Sequence, residues 1–278
     1  MFWESFFHVF TKTGAYYMYQ ILEGKRMKKE FLFVASAFFL MSFTAITGVY
    51  AYEEKTKDVT ISQHESDITG DGINEDIHLK GVPYDDDEDY LKEIYIDVST
   101  SDDKKYNIKL ESGSKASLKL VDLNQDGVKD IFANVFTGGS GGITLNYLYT
   151  LKDNISKEMS VPEPLEMDSS FENGYKAKMT IKETGKSYLF DLKDRKKYYK
   201  KLGLFYKGKL NEPTELTVNS FQSLKPVKLN TGQFLLKGVQ RITGIANADT
   251  IAFVESTWRF NNGKWNLNST SVTTKESK

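Results

Sequence analysis

Short stretches in which apolar residues alternate with polar ones, or run together, fill most of the chain after residue 90. This period of two, with turn residues between the stretches, is typical of β-strands. It predicts strands at residues 91–99, 106–110, 116–123, 130–136, 143–151, 175–181, 187–192, 232–242, 250–260 and 265–272. The segment NNGKW at 261–265 contains Asn-Gly and predicts a hairpin turn between the last two strands.

Helical periodicity is scarce in the same sequence. The best candidate is LKDRKKYYKKLG at residues 192–203, a short segment that ends at Gly203. The sequence therefore predicts an all-β fold that is built from consecutive antiparallel sheet units.

Two loops break the strand pattern with closely spaced oxygen-bearing side chains. The first is SDITGDGINEDI at residues 66–77 and the second is VDLNQDGVKDI at residues 121–131. Both have the form Asp-x-(Thr/Asn)-x-Asp-Gly, followed by an acid and Ile. Such crowding of like charge is unfavourable unless a cation neutralises it. The alternative interpretation is a pair of polar turns whose acids are solvated.

The spacing of these side chains predicts two calcium sites. Oxygen ligands at positions 1, 3 and 5, a glycine at position 6, a main-chain carbonyl at position 7 and an acid at position 9 are the start of a calcium-binding loop. The predicted ligands of the first loop are Asp67, Thr69, Asp71, Ile73 and Glu75, with Asp76 as a substitute closing acid. Those of the second loop are Asp122, Asn124, Asp126, Val128 and Asp130.

These loops differ from EF-hands. An EF-hand has a bidentate Glu at position 12 and a helix after the loop. Position 12 is His78 in the first loop and Ala133 in the second, and both exits are rich in residues that favour strands. Thr69 is a weaker third ligand than Asn124, so the first loop is the weaker predicted site.

The two loops begin 55 residues apart, which predicts repeated sheet units. The first unit is expected at residues 57–111 and the second at 115–165. Residues 227–242 look like a third copy that has lost its acids, and we expect no calcium there.

The N-terminal region predicts export. Met27 to Ala51 has two lysines, a largely apolar stretch at 31–48 and a Val-Tyr-Ala ending, as in a secretory signal peptide that is removed after Ala51. An uncleaved membrane anchor is the alternative.

The start of translation is a separate question. Glu-Gly at 23–24 corresponds to codons rich in purines, as in a ribosome-binding sequence, just before Met27. We therefore expect Met27 to be the true start and residues 1–26 to be an untranslated leader. The alternative is a genuine N-terminal extension.

Composition narrows the possible functions. The chain has no cysteine, which excludes disulfides, thiolate metal sites and a cysteine nucleophile. A net charge of −1 at pH 7 gives no electrostatic reason to expect a nucleic acid partner. No catalytic residues stand out, because Ser140 in a glycine-rich segment lacks a helical context and a histidine partner. The basic run at 193–202 is either a solvated face or a contact for anionic wall polymer.

The two loops and their flanking strands resemble the calcium loops of FG-GAP/VCBS repeats, which build β-propeller blades in integrin-type proteins. The chain is more closely similar to secreted VCBS-repeat-containing proteins of Gram-positive bacteria, in DITGDGINEDIHLKG, DLNQDGVKDIFANVFTGGSGG and VQRITGIANADTIAFVESTWRFNNGKW. The resemblance touches most of residues 60–270, but the Phe-Gly…Gly-Ala-Pro signature is missing. It implies a small or incomplete propeller, or stacked sheets, with calcium in the loops.

These observations predict a single β-domain at residues 52–278 that is secreted or held at the cell surface. Its expected role is structural or binding, at the bacterial envelope, with calcium as its cofactor and no enzymatic activity. An anionic wall polymer or another surface protein is the expected kind of partner, and membrane contact is expected only through an uncleaved signal segment. The alternative function is a hydrolase that acts on wall polymer or glycan.

Overall fold

A computed structural model describes residues 57–84 and 89–274. The described residues all belong to one compact unit. The expected leader at 1–26 and signal peptide at 27–51 lie outside the described residues. Within the described residues, no helix combines the length and the apolar character that crossing a bilayer demands.

Seventeen strands and one short α-helix make up the described part of the chain. The strands are β1 (Val59–Ser66), β2 (Glu75–Pro83), β3 (Leu91–Ser99), β4 (Lys105–Leu110), β5 (Lys115–Val121), β6 (Asp130–Phe136), β7 (Thr144–Thr150), β8 (Lys157–Met159), β9 (Met167–Glu172), β10 (Lys176–Ile181), β11 (Ser187–Asp191), β12 (Phe205–Tyr206), β13 (Lys209–Leu210), β14 (Thr217–Lys228), β15 (Phe234–Thr243), β16 (Thr250–Asn261) and β17 (Lys264–Thr274). The helix α1 is Lys196–Lys201, and 3₁₀ turns lie at Lys152–Asn154 and Lys193–Arg195.

Each sheet consists of strands that are consecutive in the chain and pair antiparallel. Sheet 1 is β1–β4, sheet 2 is β5–β8, sheet 3 is β9–β11 and sheet 4 is β14–β17, while β12 and β13 form a separate hairpin. The predicted all-β class with consecutive antiparallel units is therefore confirmed. The first two units, expected at 57–111 and 115–165, correspond to sheets 1 and 2. In the described ranges each sheet keeps two free edges and none closes on itself.

Six strands have no counterpart in the sequence-based expectation, and all six lie at a sheet edge. They are β1, β8, β9, β12, β13 and β14. An edge strand has fewer neighbours to cover its side chains, so its sequence is more polar and its alternation weaker. Pro226 within β14 adds to this, because proline cannot donate to the ladder and is tolerated at an edge. The expected helix at 192–203 is present in shorter form as a 3₁₀ turn followed by α1.

Sheet 2 is covered on both of its faces. Ile131, Ala133 and Val135 of β6 pack into a core that they share with sheet 1. The alternate residue Phe132 points the other way, into a core that includes residues of sheets 3 and 4. Burial on both faces explains why β6 is almost continuously apolar, where a strand with one wet face would alternate.

The exception in β6 is Asn134, whose amide is used as a link between sheets. Its Nδ2 donates to Asn146 Oδ1 at 2.6 Å and to the Leu224 carbonyl at 3.3 Å. Asn146 belongs to β7 and Leu224 to β14, so this half-buried amide joins the edge of sheet 4 to the middle of sheet 2. A polar group at this depth is tolerated because it is hydrogen-bonded.

The glycine-rich segment after β6 forms the wide turn that leads into β7. Arg241 of β15 holds it, since Nη2 donates to the carbonyls of Ser140 and Gly141 at 2.6 and 2.8 Å. Asn247 Nδ2 donates to Ser140 Oγ at 2.8 Å. These contacts give Ser140 a structural role in fixing the turn against sheet 4.

A buried polar clasp fastens α1 to the turn before β16. Arg195 Nη1 lies 2.7 Å from Asp249 Oδ1, and Tyr199 OH donates to Asp249 Oδ2 at 2.6 Å. Arg195 also donates to the Thr250 carbonyl at 2.8 Å. Burial raises the pKa of Tyr199, and the Asp249 carboxylate raises it further, so the phenol stays protonated and remains a donor. The clasp fixes the orientation of α1.

Candidate functional site

The two oxygen-rich loops occupy the same place in consecutive sheets. Loop one, residues 67–75, joins the first two strands of sheet 1, and loop two, residues 122–130, joins the first two strands of sheet 2. We number both loops from 1 to 9, so that the closing acid at position 9 is also the first residue of the strand that follows. The turn between the first two strands of sheet 4, residues 229–233, belongs to the segment that looks like a third copy, and its sequence contains no acid.

The backbone has a positive φ at positions 4 and 6 in both loops. At position 6, Gly72 and Gly127 have φ of +86° and +87°. Only glycine adopts this conformation without steric cost. At position 4, Gly70 has φ of +84°, whereas loop two has Gln125 at +64°. The two sharp bends bring positions 1, 5 and 9 back toward one another.

The carboxylate at position 1 caps the turn in the same way in each loop. Asp67 Oδ2 accepts a hydrogen bond from the Gly72 N–H at 3.0 Å, and Asp122 Oδ2 accepts one from the Gly127 N–H at 3.1 Å. The second oxygen also accepts an N–H, from Gly70 in loop one. Position 1 is therefore held by main-chain donors, and its orientation is set by the loop itself.

Position 5 repeats this equivalence. Asp71 Oδ1 accepts from the Ile73 N–H at 2.8 Å, and Asp126 Oδ1 accepts from the Val128 N–H at 3.0 Å. In each case the carboxylate bonds to the main chain two residues later, which is an Asx turn. The other oxygen, Oδ2, is left for a different partner, and the two loops differ in what that partner is.

The closing acid of loop one is fully buried. Glu75 is 1% exposed, and its Oε2 accepts from the Ile68 N–H at 2.8 Å. Its Oε1 accepts from the Thr69 hydroxyl at 3.3 Å. Position 3 thus supplies a neutral donor to the acid at position 9.

The closing acid of loop two is also fully buried, among more charge. Asp130 is 0% exposed, and its Oδ2 accepts from the N–H groups of Leu123 and Asn124 at 2.9 and 3.2 Å. Burial raises the pKa of Asp130 to about 6, the two N–H groups oppose this rise, and Asp126 and Asp122 add to it. At neutral pH, Asp130 is therefore a buried carboxylate with two other acids close by.

The side-chain amide of Asn124 lies among these carboxylates. Its Nδ2 is 3.1 Å from Asp130 Oδ1 and 3.2 Å from Asp126 Oδ2. Its Oδ1 accepts from the Asp126 N–H at 2.9 Å. The amide therefore joins the acids at positions 5 and 9 by donating to both.

Each loop also receives a side chain from outside its own sequence. In loop one, Ser101 Oγ donates to Asp71 Oδ2, which lowers the pKa of that exposed carboxyl. In loop two, the Lys152 ammonium lies 3.5 Å from Asp126 Oδ2 and donates to the Asp126 carbonyl at 3.0 Å. Loop one therefore has a hydroxyl where loop two has a full positive charge.

A polar cleft of about 520 Å³ lies between the two loops. Its walls include Asp67 and Gly70 of loop one and Asp126 of loop two, together with Lys129 and Lys152. Lys129 Nζ donates across it to Ser66 Oγ at 2.8 Å. The two loops are thus neighbours on one side of the molecule.

The structure places Asp76 apart from the other predicted ligands. Its Oδ2 lies 2.8 Å from His78 Nε2, and its Oδ1 accepts from Gln63 Nε2 at 3.2 Å. Both partners belong to β1 and β2, so Asp76 faces the sheet surface and Glu75 alone closes loop one. The reason is the alternation of a strand, in which neighbouring residues point to opposite faces.

The remaining predicted ligands lie within their loops, but their acids do not form a preassembled metal cluster. Among the residues that the structure describes, there is no group of three or more His, Asp or Glu side chains that could hold a metal ion. A calcium site in either loop would therefore need the oxygens of Thr69 or Asn124 and of the main chain as well.

The donors of loop two nevertheless suit calcium in kind. They are all oxygens, include three carboxylates, and surround a buried charge, which is the chemistry that a hard divalent cation prefers. Holding it would require the Asn124 amide to turn its Oδ1 inward and Lys152 to withdraw. In that state the residues Asp122, Asn124, Asp126 and Asp130 and the Val128 carbonyl would hold the ion, which would supply the missing positive charge.

No pattern in the sequence indicates Lys152 or Ser101 as partners of the loops. They lie 26 and 30 residues from the acids that they contact. Each follows the third strand of its sheet, so a meander with the loop between its first two strands brings them together. A search for polar residues after the third strand of each unit would have identified them.

Comparison with known proteins identifies two similarities. A family model described as the YybI C-terminal domain matches residues 165–273, which comprise sheets 3 and 4 with α1 and exclude both loops. A protein of Bacillus subtilis (strain 168), described as uncharacterized protein YybI, is 27% identical over 214 residues, which are 74% of this chain and 82% of that relative. No solved structure matches this chain.

Proposed function

We propose that this chain is a calcium-binding β-sheet protein with a structural or binding role at the bacterial cell envelope. The observation that carries the proposal is that two loops, 55 residues apart, share one hydrogen-bonding scheme at positions 1, 2, 5, 6, 7 and 9. Simple polar turns have no need of a buried acid at position 9, yet both loops have one.

The role proposed for calcium is to stabilise the packing of sheet 1 on sheet 2. The loops face each other across one cleft, and Lys129 and Lys152 are the cations among its lining residues. Acids that repel one another would otherwise favour an open loop. A bound divalent cation supplies the charge that holds Asp122, Asp126 and Asp130 together, and the ordered loop then keeps its contacts with the neighbouring sheet.

We also propose that the sheets stack in the manner of a small or incomplete propeller. Three observations support this arrangement: the consecutive four-stranded meanders, the two-sided burial of sheet 2, and the position of both loops between the first and second strands. The proposed secretion depends on the sequence of residues 27–51. N-terminal sequencing of the released protein should find Tyr52 as its first residue, and a retained apolar segment would indicate an anchor instead.

A calcium titration of the purified protein tests the central proposal. Calcium that binds the folded state alone raises the free energy of unfolding by RT ln(1 + [L]/Kd), about 2.7 kcal/mol at 100 times Kd. Extracellular modules bind with Kd of about 10⁻⁴ to 10⁻³ M, so millimolar calcium gives a fraction of that value. We expect a modest rise in melting temperature with calcium and a smaller one with magnesium. No shift in melting temperature, together with no heat of binding in calorimetry, would remove the proposal.

The hydrolase alternative stays a prediction without assigned residues. A second cleft, of about 530 Å³, is lined by residues 169–173 and 210–215. Its carboxylates Glu172, Glu212 and Glu215 are all exposed, whereas a general acid is usually shielded from water.

A further inference from the structure

The segment from Lys196 to Lys209 forms a strongly positive surface. It contains six lysines, at positions 196, 197, 200, 201, 207 and 209, and no acid. All six are exposed. The first four belong to α1 and the other two to the hairpin of β12 and β13. We call these residues the lysine patch. The whole chain carries a net charge of only −1, so this is a local concentration of charge.

The lysines of the patch have no acidic partner in the part of the chain that the structure describes, whereas their basic neighbours do. Arg195 pairs with Asp249, and Lys193 pairs with Asp191 at 3.1 Å. No ion pair within the described ranges involves a patch lysine. Six like charges in one place repel one another, and no neighbouring acid offsets them. The patch therefore attracts an anionic partner.

Exposed apolar side chains are interspersed with these lysines. Tyr198 is 40% exposed, Leu202 is 47% exposed and Tyr206 is 62% exposed. A hydrophilic polyanion would not remove these side chains from water. A lipid surface would, because tyrosine and aliphatic groups are favoured at the boundary between headgroups and acyl chains, while lysines contact the phosphates.

The patch is presented by a fixed scaffold. Tyr199, between the lysines of α1, is fully buried and bonded to Asp249. Phe205, at the start of the hairpin, is 1% exposed and lies against Tyr175, with ring centroids 4.7 Å apart. The lysines and the exposed apolar groups are therefore carried by a rigid base, and two of the ammonium groups, those of Lys196 and Lys207, lie over the rings of Tyr175 and Tyr206.

We propose that the lysine patch docks on the surface of an anionic phospholipid membrane. This inference goes beyond the proposed calcium function and does not depend on it, because the patch lies in sheet 3's connection to sheet 4 and not at the loops. It assigns to α1 and the β12–β13 hairpin a peripheral contact, in which lysine ammonium groups meet lipid phosphates and Leu202 and Tyr206 enter the interface.

Chemical footprinting of lysines in the full chain tests this contact directly. The protein is mixed with vesicles rich in phosphatidylglycerol or with vesicles of phosphatidylcholine alone, treated with an amine-acetylating reagent, and mapped by mass spectrometry. We expect Lys197, Lys200 and Lys201 to be labelled several-fold more slowly with the anionic vesicles. Labelling of Lys105 and Lys119, which are exposed on sheets 1 and 2, should not change. Because the readout is the patch itself, insertion of the apolar stretch at 31–48 cannot imitate it.

Two matched quadruple variants complete the test. One changes Lys197, Lys200, Lys201 and Lys207 to Gln, and the control changes Lys105, Lys109, Lys115 and Lys119 to Gln. Each lysine near an anionic surface contributes up to about five-fold to binding, so the first variant, which removes four, should lose between about tenfold and several hundred-fold of its salt-sensitive vesicle binding. The control variant carries the same net charge and should bind as wild type does. Circular dichroism establishes that both remain folded.

Three outcomes would overturn the proposal. The first is equal labelling of the patch lysines with both kinds of vesicle. The second is an equal loss of binding in the two quadruple variants, which would indicate a response to net charge alone. The third is protection of the patch by soluble inorganic polyphosphate but not by anionic vesicles, which would assign the patch to a polyanion. Retention of polyphosphate binding and loss of vesicle binding in a Leu202→Ser, Tyr206→Ser variant would support the lipid surface.

Discussion

Loop one and loop two have nearly the same backbone and the same main-chain hydrogen bonds, but different side chains contact their acids. Loop one uses hydroxyl groups, from Thr69 on Glu75 and from Ser101 on Asp71. Loop two uses the amide of Asn124 and the ammonium of Lys152. Loop two also holds the buried carboxylate whose pKa is raised to about 6. A shared motif therefore determines the path of the chain, while side chains from elsewhere in the sheet determine the net charge around the acids.

The residues that anchor the loops give the largest expected effect. Position 2 is fully buried in both, as Ile68 in the core between sheets 1 and 2 and as Leu123 in the core that includes sheets 3 and 4. Replacing either with Ala leaves a cavity, and we expect a loss of about 3 kcal/mol in the free energy of unfolding. Urea denaturation measures it. Similar losses would show that packing of position 2 in a core holds both loops in place. A loss below about 1 kcal/mol at one site would show that packing does not hold that loop.

The sequence was sufficient for some of this comparison and insufficient for the rest. The bounds of sheets 1 and 2 and the positions of both loops followed from strand alternation and from the repeat of Asp-x-x-x-Asp-Gly. Local pattern determines these features, because a glycine with positive φ and an Asx turn involve only neighbouring residues. The side-chain partners of Asp71 and Asp126 from outside the loops lie 30 and 26 positions away, and no local pattern indicates them.

The stacking of the sheets was also beyond the sequence. The almost continuous apolar run of β6 indicates burial on both faces, but it does not say which sheet covers each face. Edge strands such as β1 and β14 were not predicted, because half of their side chains face solvent and the apolar pattern is weak. Asp76 was a reasonable substitute ligand in the sequence, since only the strand register shows that it turns away from Glu75.

The second prediction uses pH to separate the two loops. The pKa of Asp130 is about 6 in the folded protein against an ordinary value of 3.8, so the folded state binds a proton that the unfolded state releases between those values. Stability contributed by this group therefore falls as pH rises from 4 to 6 and stays low above 6. In calcium-free buffer at pH 7, Asp130→Asn should be more stable than wild type by roughly 2 kcal/mol.

The difference between wild type and Asp130→Asn, followed by thermal unfolding from pH 4 to pH 7, isolates this group from the other carboxylates. We expect it to shrink as pH falls and to be small near pH 4, where Asp130 is protonated in the folded chain and about 40% protonated in the unfolded chain. A constant difference across that range would mean that burial of Asp130 does not shift its titration. Calcium should abolish the higher stability of Asp130→Asn, because an amide at position 130 cannot supply the negative charge that the cation needs.

The third prediction compares the calcium responses of the loops. Asp126→Ala should remove most of the calcium-dependent rise in melting temperature, because it deletes the carboxylate at position 5 of the loop with more charge. Asp71→Ala should remove less, since Thr69 makes loop one the weaker site. The full response is expected at about 1 to 2 kcal/mol for millimolar calcium. Isothermal titration calorimetry of the two variants gives the number of sites left in each, and equal losses would contradict the ranking.

Replacement of Lys152 is expected to have the smallest effect on stability, and it separates the two loops most clearly. Its ammonium already lies 3.5 Å from Asp126 Oδ2, so calcium and this lysine would compete for one carboxylate. Both side chains are partly exposed, and such pairs contribute only about 0.2 to 1 kcal/mol in water. Lys152→Met should therefore lower calcium-free stability by about 0.5 kcal/mol and strengthen calcium binding by roughly two- to three-fold, since the competitor is gone.

Lys129→Met is the matched control for this experiment. Lys129 lines the same cleft, but its ammonium bonds to the Ser66 hydroxyl, so its removal lowers positive charge near the loops without freeing an acid. If both variants strengthen calcium binding equally, the effect is one of general charge in the cleft. If only Lys152→Met does so, the lysine is the internal counter-ion of loop two. Loop one, with Ser101 in the corresponding place, should then bind calcium with a stronger dependence on salt, because no lysine offsets the attraction between its acids and the cation.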